Sequence, residues 1–239
     1  MKSILQNIKT AGNKKLLAVL IDPDKMELSA LPKFIEKVNN SIATHIFVGG
    51  STVKEHVTHV FVRALQPLTH LPIVLFPGDV TQISKAADAI LFLSLLSGNN
   101  PEYLIGKHIK AVSKLKKTSL EVIPTGYLLI ESGVETAVQR VTLTTPLPRL
   151  NTQLIVDTAK AGEFLGMQLI YLEAGSGAKE AVPLEVITLA KKELNIPLIV
   201  GGGIKSKTQL EATYNAGADL VVIGTAFEED EAFFEALKE

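Results

Sequence analysis

Cysteine is absent from the chain, so neither disulfides nor thiolate metal sites can contribute, and nothing calls for an oxidising compartment. No charge of one sign dominates: 24 Lys and Arg face 25 Asp and Glu, for a formal net charge of -1. Lys114, Lys116 and Lys117 form the densest basic cluster. They read as a solvated helix face, and without aromatics interleaved among basic residues no nucleic-acid partner is expected. No stretch approaches the roughly 20 uninterrupted apolar residues of a membrane span. The start of the chain, with Lys2, Ser3, Gln6, Asn7 and Lys9, is too polar for a signal-peptide core. A cytoplasmic location is therefore expected, with transient contact with a membrane surface left open.

Several catalytic signatures are missing too. His45, His56, His59, His70 and His108 form no HExxH pattern and read as scattered surface residues. There is no thiol nucleophile, and Ser94 and Ser97 sit in no serine-hydrolase elbow, which disfavours acyl transfer. After the first apolar run stand Asp22, Pro23 and Asp24 instead of a GxGxxG fingerprint, which argues against a doubly wound dinucleotide fold.

What is present is a rhythm. Short runs rich in Val and Ile alternate with charged segments of helical period, as expected for parallel strands buried on both faces by flanking helices. Eight such runs predict strands at 16–22, 45–50, 73–77, 89–94, 120–124, 168–173, 197–201 and 220–224. Helices are expected at 31–39, 137–142, 155–165, 184–194, 207–216 and 229–237. Eight βα units close a barrel. The fold class expected is α/β, a modified (β/α)8 TIM barrel in one domain over residues 1–239. The short stretch 80–87 implies an abbreviated or missing third helix. The segment 125–151, with Pro146 and Pro148, reads as an extended loop at the barrel mouth.

Glycine gathers where the last three strands end. The sixth runs Tyr171, Leu172, Glu173, Ala174, Gly175, Ser176, Gly177; the seventh ends Gly201, Gly202, Gly203; the eighth ends Gly224, Thr225. Glycine lets the backbone approach an anion closely, and the loops after strands seven and eight commonly bind phosphate in this fold. Ser176 and Thr225 can add hydroxyl donors. A tight turn without ligand is the plainer reading of any one of these glycines.

Acids stand at the same ends. Asp22 closes the first strand, and Ser51 follows Gly49 and Gly50 at the second. A carboxylate and a hydroxyl suit Mg2+, which keeps several waters and few protein ligands beside substrate phosphates. Glu173 can bind a substrate hydroxyl or take its proton, and Tyr171 shares its strand face. Capping and packing are the plainer roles of these residues. On these residues alone, an isomerase or aldolase acting on a small sugar phosphate, or a non-catalytic phosphate sensor, stays open.

The segments Leu20-Ile21-Asp22-Pro23-Asp24-Lys25, Val48-Gly49-Gly50-Ser51, Tyr171 to Gly177 and Gly201-Gly202-Gly203-Ile204 resemble the geranylgeranylglyceryl phosphate synthase family, which includes bacterial heptaprenylglyceryl phosphate synthases. The resemblance implies transfer of a polyprenyl group, geranylgeranyl favoured, from its diphosphate to sn-glycerol 1-phosphate with Mg2+ as cofactor. By that resemblance Asp22 and Ser51 form the metal site near the diphosphate. The stretch from Tyr171 to Gly177, with Gly202, Gly203, Gly224 and Thr225, forms the glycerol phosphate site, where Glu173 assists deprotonation. Tyr171, Glu173 and Asp22 are the catalytic candidates. A homo-oligomer is compatible with the resemblance. An apolar groove beside the mouth is required for the prenyl chain, with Phe76, Leu91, Leu93, Tyr127 and Leu128 as candidate lining.

Overall fold

The computed structural model describes residues 3–12, 14–224, 233, 235, 237 and 238. Eight parallel strands close a barrel in chain order: β1 (Leu16–Ile21), β2 (His45–Val48), β3 (Ile73–Leu75), β4 (Ala89–Leu95), β5 (Glu121–Leu129), β6 (Leu169–Glu173), β7 (Leu198–Gly201) and β8 (Leu220–Ile223). Closure is made by β1 against β8, with Leu16 beside Leu220 and Val19 beside Ile223. All strands run the same way, so every strand's C-terminal end meets at one rim.

Alternation along the strands divides the core into two layers. Inside the barrel lie Ala18, Phe47, Leu91, Ile123, Tyr127, Tyr171, Ile199 and Val222. Between sheet and helices lie Leu17, Val19, Ile46, Val48, Ile90, Leu128, Ile170 and Val200, met by Ile35, Phe61, Ile155, Val186 and Leu210. Each such side chain, fully buried, contributes roughly 1.5–3 kcal/mol relative to exposure, which explains why strand sequences such as Leu220-Val221-Val222-Ile223 carry no polar position.

Helix α1 (Ile4–Lys9) closes the floor. Ile4 and Ile8 join the interior layer, and Glu121 at the base of β5 accepts hydrogen bonds from Ser3 Oγ and from the Ile4 N–H at 2.6 Å. The ring of helices continues with α2 (Leu31–Asn39), α3 (Val57–Leu65), α4 (Lys107–Leu115), α5 (Ala137–Thr142), α6 (Thr152–Phe164), α7 (Leu184–Glu193) and α8 (Lys207–Asn215). α1 and α3 were not anticipated from the sequence, and of α4 only the lysine-bearing C-terminal end around Lys114 was read as helix. The helix expected over 229–237 falls outside the described residues except at 233, 235 and 237.

The third helical position is vacant, as expected. Between β3 and β4 there is only a 3-10 turn, Val80–Gln82, capped by the Asp79 side chain on the Thr81 N–H. The long mouth loop is shorter than expected, because β5 runs on to Leu129 past Pro124. Pro124 is tolerated because it lies below the start of β6, where its carbonyl accepts from the Gln168 N–H and no rung needs its missing donor. His45 and His108 are buried, not superficial. His45 bonds to Thr44, and burial alone drops its pKa to about 4.

Candidate active site at the C-terminal rim of the barrel

Asp22 leaves the end of β1 with its side chain 24% exposed. One carboxylate oxygen accepts from the Asp24 N–H at 3.1 Å, and the Lys25 ammonium stands 3.9 Å from the other. Burial pushes its pKa above the usual carboxylate value, against the pull of that N–H and of Lys25. The turn after β2 passes over this carboxylate so closely that a Cβ on Gly50 would lie 2.8 Å from Asp22 Oδ2. Glycine there is what lets the Gly50–Ser51 backbone and the carboxylate share one spot. Gln82 fixes the turn from the far side, donating to the Gly50 carbonyl at 2.8 Å, while the Lys54 N–H bonds Asp24.

The Asp22 carboxylate, with the Gly50–Ser51 turn passing over it, offers few protein oxygens, as suits a hard cation that keeps most of its water. Among the described residues no group of three or more His, Cys, Asp or Glu comes together. An ion at Asp22 would therefore lean on water and substrate oxygens.

Across the rim, Glu173 ends β6 fully enclosed, its Oε1 accepting from the Gly175 N–H at 2.6 Å. Burial raises its pKa, with the Tyr171 hydroxyl and that N–H working the other way. Tyr171 points into the barrel on the same face. Its hydroxyl is buried without a well-aligned hydrogen-bond partner, yet it stands near enough to Glu173 for each group to act on the ionisation of the other. A buried polar group without a well-aligned partner marks a place where a ligand atom or water belongs. Phe76 stacks on the Tyr171 ring at 5.3 Å, and Tyr127 meets it edge-on at 5.4 Å.

The glycine turns stand where the sequence places them. Gly175, Gly177, Gly202 and Gly203 have φ of 99°, 74°, 83° and 73°. At Gly202 a side chain would collide with Glu173 and with the N–H groups of Ala174 and Gly175; at Gly203 it would lie 2.9 Å from the Ala181 N. These two glycines therefore also serve the packing of β6 against β7. Gly224, at the end of β8, is more open. Leu172 faces the helices instead of the mouth, and Ala174 is enclosed beside it in the outer layer. Ser176 is exposed at the tip of the turn, and Thr225 lies outside the described residues.

Where the third helix is missing, a mostly apolar cavity opens to the surface. It begins at Gly50 and Ser51, beside Asp22, and runs along Phe76, Leu91 and Leu93 to the inner face of α4, where Lys107, His108 and Ala111 line it. Tyr127 lines it as expected; Leu128 does not, because it points into the outer layer. His108 packs edge-on against Phe92 at 4.3 Å, and its pKa is lowered by burial. Lys107 spans the cavity's edge to Asp79 and to the Gly78 carbonyl. The α4 residues escaped the sequence reading because only the vacancy over β3 and β4 brings them to the mouth.

Comparison with known proteins places this arrangement. The model of the PcrB family matches residues 11–239. The chain is 58% identical to a geranylgeranylglyceryl phosphate synthase of Flavobacterium johnsoniae over 94% of this chain and 93% of the relative. It is 56% identical to that of Zunongwangia profunda over 97% and 99%. It superposes with a TM-score of 0.92 on the crystal structure of (S)-3-O-geranylgeranylglyceryl phosphate synthase from Thermoplasma acidophilum in complex with sn-glycerol-1-phosphate, at 34% identity over 99% of this chain and 96% of that one.

Proposed function

The chain belongs to the PcrB family, the geranylgeranylglyceryl and heptaprenylglyceryl phosphate synthases, and from that premise we propose which residues of its rim carry out the prenyl transfer of that family. The substrates are a polyprenyl diphosphate, geranylgeranyl diphosphate favoured, and sn-glycerol 1-phosphate. The glycine turns at Gly175–Gly177, Gly202–Gly203 and Gly224, with Ser176 and Thr225, hold the phosphate through backbone and hydroxyl donors. Glu173 receives the glycerol hydroxyl, with Tyr171 steering it through its buried phenol. The other substrate lays its chain in the cavity and its diphosphate by Asp22 and Ser51.

Asp22 and Ser51 would hold Mg2+, which when bound would neutralise charge on the departing diphosphate. The glycerol oxygen attacks the allylic carbon, the carbon–oxygen bond to diphosphate breaks, and the hydroxyl proton passes to Glu173. Burial suits Glu173 to that role, because a raised pKa makes a carboxylate a stronger base. Orienting both reactants at one rim lowers the barrier further.

The observation that carries this reading is one continuity: the apolar cavity starts at the turn over Asp22 and leads outward through the flank of the barrel. An enzyme of small sugar phosphates needs a compact polar pocket and has no use for such a flank. The test is incubation with Mg2+, sn-glycerol 1-phosphate and a series of polyprenyl diphosphates, followed by mass analysis. Ether-linked prenylglyceryl phosphate and free diphosphate are expected; a series giving no coupled product overturns the reading.

A further inference from the structure

Helix α4 has two working faces. The inner one, with Tyr103 in the preceding π-turn (Glu102–Gly106) and with His108 and Ala111, forms a wall of the cavity. On the outer one, Ile105, Ile109 and Val112 follow at helical spacing and are 56%, 67% and 41% exposed. An isolated exposed aliphatic group is ordinary, but three on one stripe of a single helix make an apolar patch. Lys116 ends this stripe, and Lys110, Lys114 and Lys117 run alongside it. From Lys107 to Leu115 the helix contains no acid. Among the described residues, the acids that pair with its lysines are Glu102, with Lys110, and Asp79, with Lys107. Lys114 donates a hydrogen bond to the Val80 carbonyl, a neutral partner.

We propose that the outer face of α4 is a docking surface for an anionic lipid bilayer. An apolar stripe flanked by lysines fits the interface of such a membrane, with aliphatic groups entering the headgroup boundary and ammonium groups meeting lipid phosphates. A protein partner would match the apolar stripe as well, but the surplus of unopposed lysines selects a broad negative surface. The position also has a purpose, which rests on the prenyl-transfer reading above. A polyprenyl diphosphate resides in lipid because each CH2 favours the apolar phase by about 0.8 kcal/mol. Docking through α4 brings the wall of the receiving cavity to the bilayer.

Flotation with vesicles tests this. Wild-type protein is mixed with phosphatidylcholine vesicles, or with vesicles of equal parts phosphatidylcholine and phosphatidylglycerol, and compared with Ile109→Ser/Val112→Ser and Lys116→Glu/Lys117→Glu. The wild type should float with the anionic vesicles and not the neutral ones, and should come off at about 0.5 M salt. Both double variants should bind about 20-fold more weakly or worse, with unchanged melting temperature. They should couple a short, water-soluble prenyl diphosphate at the wild-type rate yet lose rate on a long-chain diphosphate embedded in anionic vesicles. Wild-type binding that ignores lipid charge, or variants that bind as the wild type does, overturns the proposal. So does a drop in particle mass by light scattering in Ile109→Ser/Val112→Ser, which would make the stripe a subunit contact. Coupling in solution without vesicle binding overturns the docking surface alone. No coupling anywhere overturns the prenyl-transfer reading and the reason for docking with it.

Discussion

The Tyr171 hydroxyl and the Glu173 carboxylate converge above Gly201: a Cβ on that glycine would stand 2.5 Å from Tyr171 Oη and 3.0 Å from Glu173 Oε2. A phenol and a buried acid thus share one small space at the head of β6 and β7, and the missing side chain of Gly201 is what leaves room for both. The catalytic expectations follow from that geometry.

Glu173→Gln should separate stability from turnover. Burial raises the folded pKa of Glu173 above its unfolded value, so folding favours its protonated form. Its ionisation weakens the fold as pH rises through the window between the two values, and acidification below the unfolded value removes that penalty. Glutamine keeps an oxygen for the Gly175 N–H and carries no charge. The variant should melt higher at neutral pH and turn over roughly 100-fold to 10,000-fold more slowly. In the wild type, kcat should fall as pH drops below the raised pKa. Unchanged turnover in the variant would remove the proton-accepting role.

Asp22→Asn should abolish metal-dependent coupling with little effect on folding. Its carboxylate is partly exposed, and burial already disfavours its charge, so neutralising it removes no stabilising ion pair of consequence. Calorimetric titration with Mg2+ in the presence of diphosphate should lose its signal. Coupling that persists with chelator in the wild type would refute the metal assignment.

Gly202→Ala should damage the phosphate side selectively. At φ of 83° an added Cβ meets strain of about 1–3 kcal/mol and presses on Glu173 and the Ala174 N–H. A raised KM for sn-glycerol 1-phosphate with an unchanged KM for the prenyl diphosphate is expected. Loss confined to the prenyl substrate would contradict the assignment.

Ala111→Phe should shorten the accepted chain. Ala111 is the smallest side chain that α4 offers to the cavity wall, and an aromatic ring there takes up length that the tail would use. Competition between short and long diphosphates should shift toward the short one. An unchanged product profile would mean that the tail follows another route.

The eight strands were legible because strands buried on both faces leave unbroken aliphatic runs, and each expected run became a strand. The missing third helix was legible from the brevity of 80–87. Other elements were hidden for identifiable reasons. α3, Val57-Thr58-His59-Val60-Phe61-Val62, is as β-branched as a strand. In α4, Ile109 and Val112 point outward, which blurs the period that would have announced a helix. Pro124 looked like a strand end because its register against β6 cannot be read from one chain. At the site, the conjunction of Asp22, Gly50 and Ser51 with Glu173 and the glycine turns at one rim follows from parallel closure, and their motifs were visible. The cavity was not, because it is made by what is absent between β3 and β4.

Plugging the floor with α1 has a kinetic consequence. With Ile4 and Ile8 filling the bottom, the axis is closed to a long tail, so under the proposed prenyl transfer the product would be moored twice, by its phosphate at the top and by its hydrocarbon in the side. Escape would then slow with every added isoprene unit, and release of the longest products, measured as a burst in pre-steady-state kinetics, is expected to set the pace of the cycle.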